Sequence, residues 1–100
     1  MILAIETASQ VCAVALAQGQ ELVAEYRLNL KNQHARLLAA GVEKMLADCQ
    51  VRLEHLQAIA VSIGPGSFTG LRIGLSFAKG LAFGRKLPII GVPTLQALAS

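Results

Sequence analysis

Nothing in this 100-residue sequence supports a disulfide framework, a membrane span or a charged arm. The 2 cysteines, Cys12 and Cys49, both lie in apolar segments and are too few to staple a small fold, so they read as buried reduced thiols. Uninterrupted apolar runs stay well short of the roughly 18 residues that a spanning helix needs. Lys79 breaks the longest candidate, at 73–83. The start has neither a basic leader nor a small-residue cleavage site, and the expectation is a cytoplasmic protein. Charge is scarce at 15 %, and the formal net charge of +3 is spread along the chain, which permits nucleic-acid contact without demanding it. The histidines, His34 and His55, have no Cys, His or carboxylate at the spacing that sets two metal ligands on one helical face. Linkers, repeats and low-complexity segments are missing too.

What is present is apolar. Hydrophobic residues make up 54 % of the chain, more than an ordinary soluble domain of this length uses, so part of the excess is expected to face a partner. One domain of this size can hide roughly 60 to 65 % of its unfolded surface. Residues 2–5 and 11–17 are continuously apolar, as in strands covered on both faces. Gln18, Gly19 and Gln20 make a tight connection, and Leu22, Ala24, Tyr26 and Leu28 then alternate with Glu21, Val23, Glu25 and Arg27 as a half-exposed third strand. Asn32 can cap a helix over 32–49, with Leu38, Val42, Met45 and Cys49 on one face. A fourth strand over 58–63, a turn at 64–66, a helix from Ser67 or Thr69 to about Gly84, and a fifth strand over 88–92 follow. A last helix starts near Thr94 and is still in pattern at Ser100, so the end reads as a truncation. The expected class is α/β, a mixed five-stranded sheet in the order βββαβαβα, a meander continued by parallel crossovers.

The stretch Gly64-Pro65-Gly66-Ser67-Phe68-Thr69-Gly70 stands where a strand gives way to a helix N-terminus, where free backbone N–H groups favour anions. It is not a Walker loop, since only three residues separate Gly66 from Gly70 and Leu71 stands where lysine is required. It also misses the dinucleotide fingerprint and the nucleophile elbow. A plain structural turn and an anion site at Gly66 and Ser67 both remain open. Glu6, Thr7 and Ser9, at the turn between the first two strands, allow the same two readings: a phosphate-addressing turn, or a solvated one bonded to its own backbone.

Within the second helix, Gly70, Gly74, Ala78 and Ala82 recur every four residues as a strip nearly free of side chains. Glycine costs about 1 kcal/mol against alanine in a helix interior, which implies close packing as compensation. Either this domain's own sheet or first helix fills the strip, or another molecule's helix does. Leu71, Ile73, Leu75, Phe77 and Leu81 already supply a core, which favours the second use. The expected partner surface is therefore Leu38, Val42 and Met45 with Gly70, Leu71, Gly74, Ala78 and Ala82.

The runs Ile2-Leu3-Ala4-Ile5-Glu6-Thr7-Ala8, Gly64-Pro65-Gly66-Ser67-Phe68-Thr69-Gly70-Leu71-Arg72-Ile73-Gly74 and Ile89-Ile90-Gly91-Val92 together resemble the bacterial TsaB (YeaZ) family, across essentially the whole chain. The resemblance implies the N-terminal lobe, residues 1–100, of an actin-like ATPase (ribonuclease-H-like) fold whose C-terminal lobe is missing from this sequence. It implies a part in making threonylcarbamoyladenosine at position 37 of tRNA, as a non-catalytic subunit that binds and activates TsaD, with the ATPase TsaE as a further partner. It also implies a homodimer when alone, tRNA contact through the complex and no membrane. Proteins similar to TsaD carry two metal-binding histidines four residues apart after a strand ending in Gly-Val, whereas Thr94 and Leu98 stand here. Neither replaces an imidazole, so no catalytic residue, metal or tightly held cofactor is expected, and adenine nucleotide only weakly or within a complex. The rival is an enzyme of the same fold: a small-molecule phosphotransferase using the Glu6 turn, or a glycoprotease-like metallopeptidase.

Overall fold

The computed structural model describes residues 1–7, 12–28, 35–63 and 68–93. Five strands form one sheet: β1 Ile2–Glu6, β2 Cys12–Gln18, β3 Glu21–Leu28, β4 Ala58–Ser62 and β5 Ile89–Val92. Two helices, α1 Ala35–Asp48 and α2 Phe68–Ala82, and a short 3₁₀ turn, Leu53–His55, complete the order. The sheet runs β3-β2-β1-β4-β5, with the pairs β1–β2 and β2–β3 antiparallel and the pairs β1–β4 and β4–β5 parallel. This is the expected meander with parallel crossovers. The 3₁₀ turn was not foreseen, because three residues are too few for a periodic signal. Asn32, His34 and the expected helix from Thr94 lie outside the described residues.

The continuous apolar runs are explained by burial on both faces. Pairing places Leu3 beside Leu16 and Ile59, and Ile5 beside Val14 and Val61, so these large side chains share the face on which the helices lie. There they join Leu38, Val42, Met45 and Leu46 of α1 and Ala78 of α2 in one core. The opposite face is made of small residues, Ala4, Ala13, Ala15 and Ala60 with Val92, and these are buried as well. Period two does the sorting, since adjacent residues of a strand point to opposite faces.

At the β3 edge the pairing slips. Leu16 opposes Ala24 but Ala17 opposes Leu22, leaving Val23 as the extra residue of a bulge, 45 % exposed. A bulge on an edge strand spoils the straight row of unpaired backbone groups that another chain could use. Tyr26, further along β3, donates its hydroxyl to the Asp48 carboxylate at the end of α1 and so ties the edge to the helix layer.

Helix α1 closes in a tight hydrogen-bonded cap. The Gln50 N–H donates to the Ala47 carbonyl at 3.1 Å and the Val51 N–H to the Leu46 carbonyl at 2.9 Å, with Gln50 at φ 56°. That pair of bonds satisfies the carbonyls a helix end leaves free, at the cost of holding a non-glycine residue in left-handed backbone.

Candidate partner surface and anion turn

The small-residue strip of α2 is filled from within. Gly74 lies against the end of β1, where an added methyl group would overlap the Thr7 hydroxyl and come within 3.6 Å of Ile5 Cγ2. Thr7 Oγ1 donates to the Gly70 carbonyl at 2.5 Å, and Ala78, fully buried, belongs to the core. The expectation of an open strip is therefore corrected: Gly70, Gly74 and Ala78 let the helix backbone approach β1. Leu38, Val42 and Met45 are corrected in the same way, since all three are buried beneath α1. Of the expected surface, only Leu71 and Ala82 are half-buried, at the margin of the core. Periodicity identified which residues share a face; it carried no information on which neighbour that face meets.

What the helices turn outward is a different set. On α1 these are Arg36, Leu37, Ala39, Ala40, Glu43, Lys44, Ala47 and Asp48; on α2 they are Arg72, Ser76, Lys79 and Gly80. Leu37 is 44 % exposed. Gly80 differs from Gly74 in having open space where its side chain would be, so no contact among the described residues explains a glycine there.

The anion turn is only partly described. Thr7 is buried and its hydroxyl proton is committed to Gly70, which removes it as a donor to a phosphate. Glu6 is half-buried and engaged in an interaction of its own. Ser9, Gly66 and Ser67 lie outside the described residues, so the turn is not assembled as a site. Next to it, burial, and after burial the negative charge of Glu6, pushes the Cys12 thiol up from 9.0 to about 11, against a smaller lowering by the Ala13 backbone. A thiol protonated at neutral pH is a poor nucleophile and a poor metal ligand.

His55 is exposed, and its Nδ1 accepts the Arg52 backbone N–H at 3.1 Å, so the imidazole braces the 3₁₀ turn. Among the described residues no group of three or more His, Cys, Asp or Glu side chains is placed to hold a metal ion. No helix among them is long and apolar enough to cross a membrane.

Two features escaped sequence reasoning. A groove of about 740 Å³ opens between the end of α1, the 3₁₀ turn and the segment leading into β5, floored by Leu46, Val51, Leu53, Leu56 and Leu87. These residues come from three separate segments, so no local pattern joins them. After α2, Phe83 is 85 % exposed. In sequence it only continued an apolar run.

With this geometry in view, comparison with known proteins is specific. Residues 21–100 match the family model of TsaD: tRNA N6-adenosine threonylcarbamoyltransferase. The chain is 42 % identical over 98 residues, 98 % of its own length and 42 % of the relative's, to the tRNA threonylcarbamoyladenosine biosynthesis protein TsaB of Escherichia coli (strain K12). To the TsaB of Bacillus subtilis (strain 168) it is 39 % identical, over 99 % of this chain and 43 % of that one. The fold superposes on YeaZ from Pseudomonas aeruginosa with a TM-score of 0.82 at 34 % identity, over 94 % of this chain and 44 % of that one. The chain thus spans about two fifths of the length of these curated relatives.

Proposed function

The chain belongs to the TsaB (YeaZ) family, and from that premise we propose that it acts in the biosynthesis of threonylcarbamoyladenosine in tRNA, as a non-catalytic subunit that binds and activates a TsaD-like transferase. The observation that carries this reading is the 42 % identity to a protein of that biosynthesis across 98 % of this chain. Its non-catalytic part is supported by residues. Thr94 and Leu98 stand where the transferase has its histidines, the Thr7 hydroxyl is spent on Gly70, and the Cys12 thiol is held protonated. Adenine nucleotide is then bound weakly or only inside the complex. A TsaE-like ATPase and the tRNA join through that complex, in the cytoplasm, and two copies of the chain pair when the transferase is missing.

With the inner strip occupied by β1, the partner meets the outward sides of α1 and α2. Gly80 supports this, being an exposed helix glycine with no described residue where its side chain would stand, one turn after the exposed Ser76. A neighbouring helix that approaches the bare backbone there would offset the roughly 1 kcal/mol that glycine costs relative to alanine.

The test is Gly80→Glu. Glutamate is a better helix former than glycine, so the folded protein should melt at the same temperature or slightly higher. Co-purification with the transferase subunit, and tRNA modification in a mixture reconstituted with each subunit withheld in turn, should both be lost. A Gly80→Glu protein that still pairs and still supports modification removes this surface. Modification that proceeds equally well without the protein removes the function.

A further inference from the structure

Phe83 is the most exposed large hydrophobic side chain among the described residues, at 85 %. The turn that carries it is braced by its own backbone. The Phe83 N–H donates to the Gly80 carbonyl at 3.3 Å and the Arg85 N–H to the Ala82 carbonyl at 3.0 Å, while Arg85 Nη1 donates to the Leu81 carbonyl at 2.9 Å. Gly84, at φ 77°, and Lys86, at φ 55°, complete the reversal. The ring is therefore held out from a defined turn.

The charged residues nearest it along the chain are of one sign. Lys79 lies one helical turn before Phe83, and Arg85 and Lys86 follow it, all exposed. The ion pairs among the described residues use Arg27, Lys44 and Arg52, and none of these three cations. Glu43 and Glu54 line the groove on the other side of Arg85, and Glu54 is paired with Arg52 at 3.4 Å. Cations near a helix C-terminus oppose the helix dipole, which accounts for part of the cluster. That account leaves the bare aromatic ring unexplained.

A ring for stacking and cations for phosphates are the two components by which proteins hold unpaired nucleotides. We propose that the turn 83–86, together with Lys79, is a direct RNA contact, in which Phe83 stacks on an unpaired base while Lys79, Arg85 and Lys86 meet the flanking phosphates. This rests on the reading of the protein as part of a tRNA-modifying assembly and adds to it a surface that touches the tRNA itself. It assigns the ring to RNA and not to a protein pocket, because the surrounding charge complements a polyanion.

The experiment is fluorescence anisotropy with the intact protein, alone and with its transferase partner, using a labelled tRNA that reads codons starting with adenine and a fully paired RNA of equal length. Phe83→Ala should weaken tRNA binding about 5- to 100-fold while Phe83→Tyr keeps it. Removing a cation, by Lys79→Ala or by Lys86→Asn, which tolerates the left-handed backbone, should lower the slope of log affinity against log salt by about 0.7 each. The paired RNA should bind more weakly and ignore Phe83. Unchanged tRNA binding by Phe83→Ala overturns the proposal, as does the absence of tRNA binding by the unsubstituted protein and its complex. Phe83→Ala that loses the transferase but keeps RNA makes the turn a protein contact and overturns it too. In each case Gly80→Glu still decides the subunit reading separately.

Discussion

Thr7 sits at the end of β1 with its hydroxyl on the Gly70 carbonyl, and Gly74 makes room for it one helical turn further along α2. A buried hydroxyl left without a partner costs about 1–3 kcal/mol, so the two residues form one device. Gly74→Ala should destabilise the protein by about 1–3 kcal/mol through overpacking, read as a lower midpoint in chemical denaturation. Thr7→Ser keeps the bond, and Gly74→Ala should cost as much in that background, since the hydroxyl still occupies the space. A Gly74→Ala protein as stable as the parent would show that this contact is loose. Cys12 yields a second expectation at this scale. Its thiol is raised to about 11 mainly by burial, so alkylation at about pH 8 should modify the half-buried Cys49 first and Cys12 only on unfolding. Equal labelling rates in the native protein would contradict that burial. Glu6, Thr7 and Ser9 were legible as a turn with polar chemistry. That Thr7 uses its hydroxyl on a helix more than 60 residues away was not, because |i−j| is 63 and no local pattern spans it.

At the scale of elements, β3 is held to α1 by the Tyr26 hydroxyl on Asp48, with Lys44 on the same carboxylate at 3.2 Å. Donation from Tyr26 first, then from Lys44, holds the Asp48 carboxyl below its ordinary 3.8. The same bond to Asp48, ahead of desolvation and of the carboxylate's charge, pushes the Tyr26 phenol up from 10.0 to about 12. The signs differ. A depressed carboxyl contributes stability that is present above its unfolded value and lost as pH falls through its folded one. A raised phenol contributes stability that is present below pH 10.0 and lost as pH rises through about 12. The stability difference between the parent and Tyr26→Phe should therefore be flat from about pH 5 to 9 and should shrink at both extremes. A difference that keeps its size at low pH would mean that Tyr26 acts through packing alone. Asp48 is exposed and Tyr26 only half-buried, so the difference should be small.

For the whole molecule, β1 lies at the centre of the sheet, with β2 on one side and β4 on the other, while β3 and β5 are its edges. Helices pack on the large-residue face and the alanine face is buried too, so opening the centre exposes both layers at once. Amide exchange should be slowest in Ile2–Glu6 and Ala58–Ser62 and faster in Glu21–Leu28 and Ile89–Val92, with the central amides following global unfolding. Edge amides as slow as central ones would require a further cover on the edges. The same arrangement commits the inner helix faces to the sheet.

Strand and helix order were legible residue by residue, because period two in 21–28, uninterrupted apolar runs in 2–5 and 58–62, and a four-residue recurrence in α1 and α2 are local properties of a chain that must bury one face. Family membership was legible too, in a long motif read without any fold. What only the tertiary structure decided was direction: whether Gly70, Gly74 and Ala78 face β1 or a partner, whether Leu38, Val42 and Met45 lie inside, and that Phe83 stands out in solvent. A stripe of small residues looks the same whichever backbone lies against it. The choice depends on Thr7 arriving from a distant strand and needing a carbonyl.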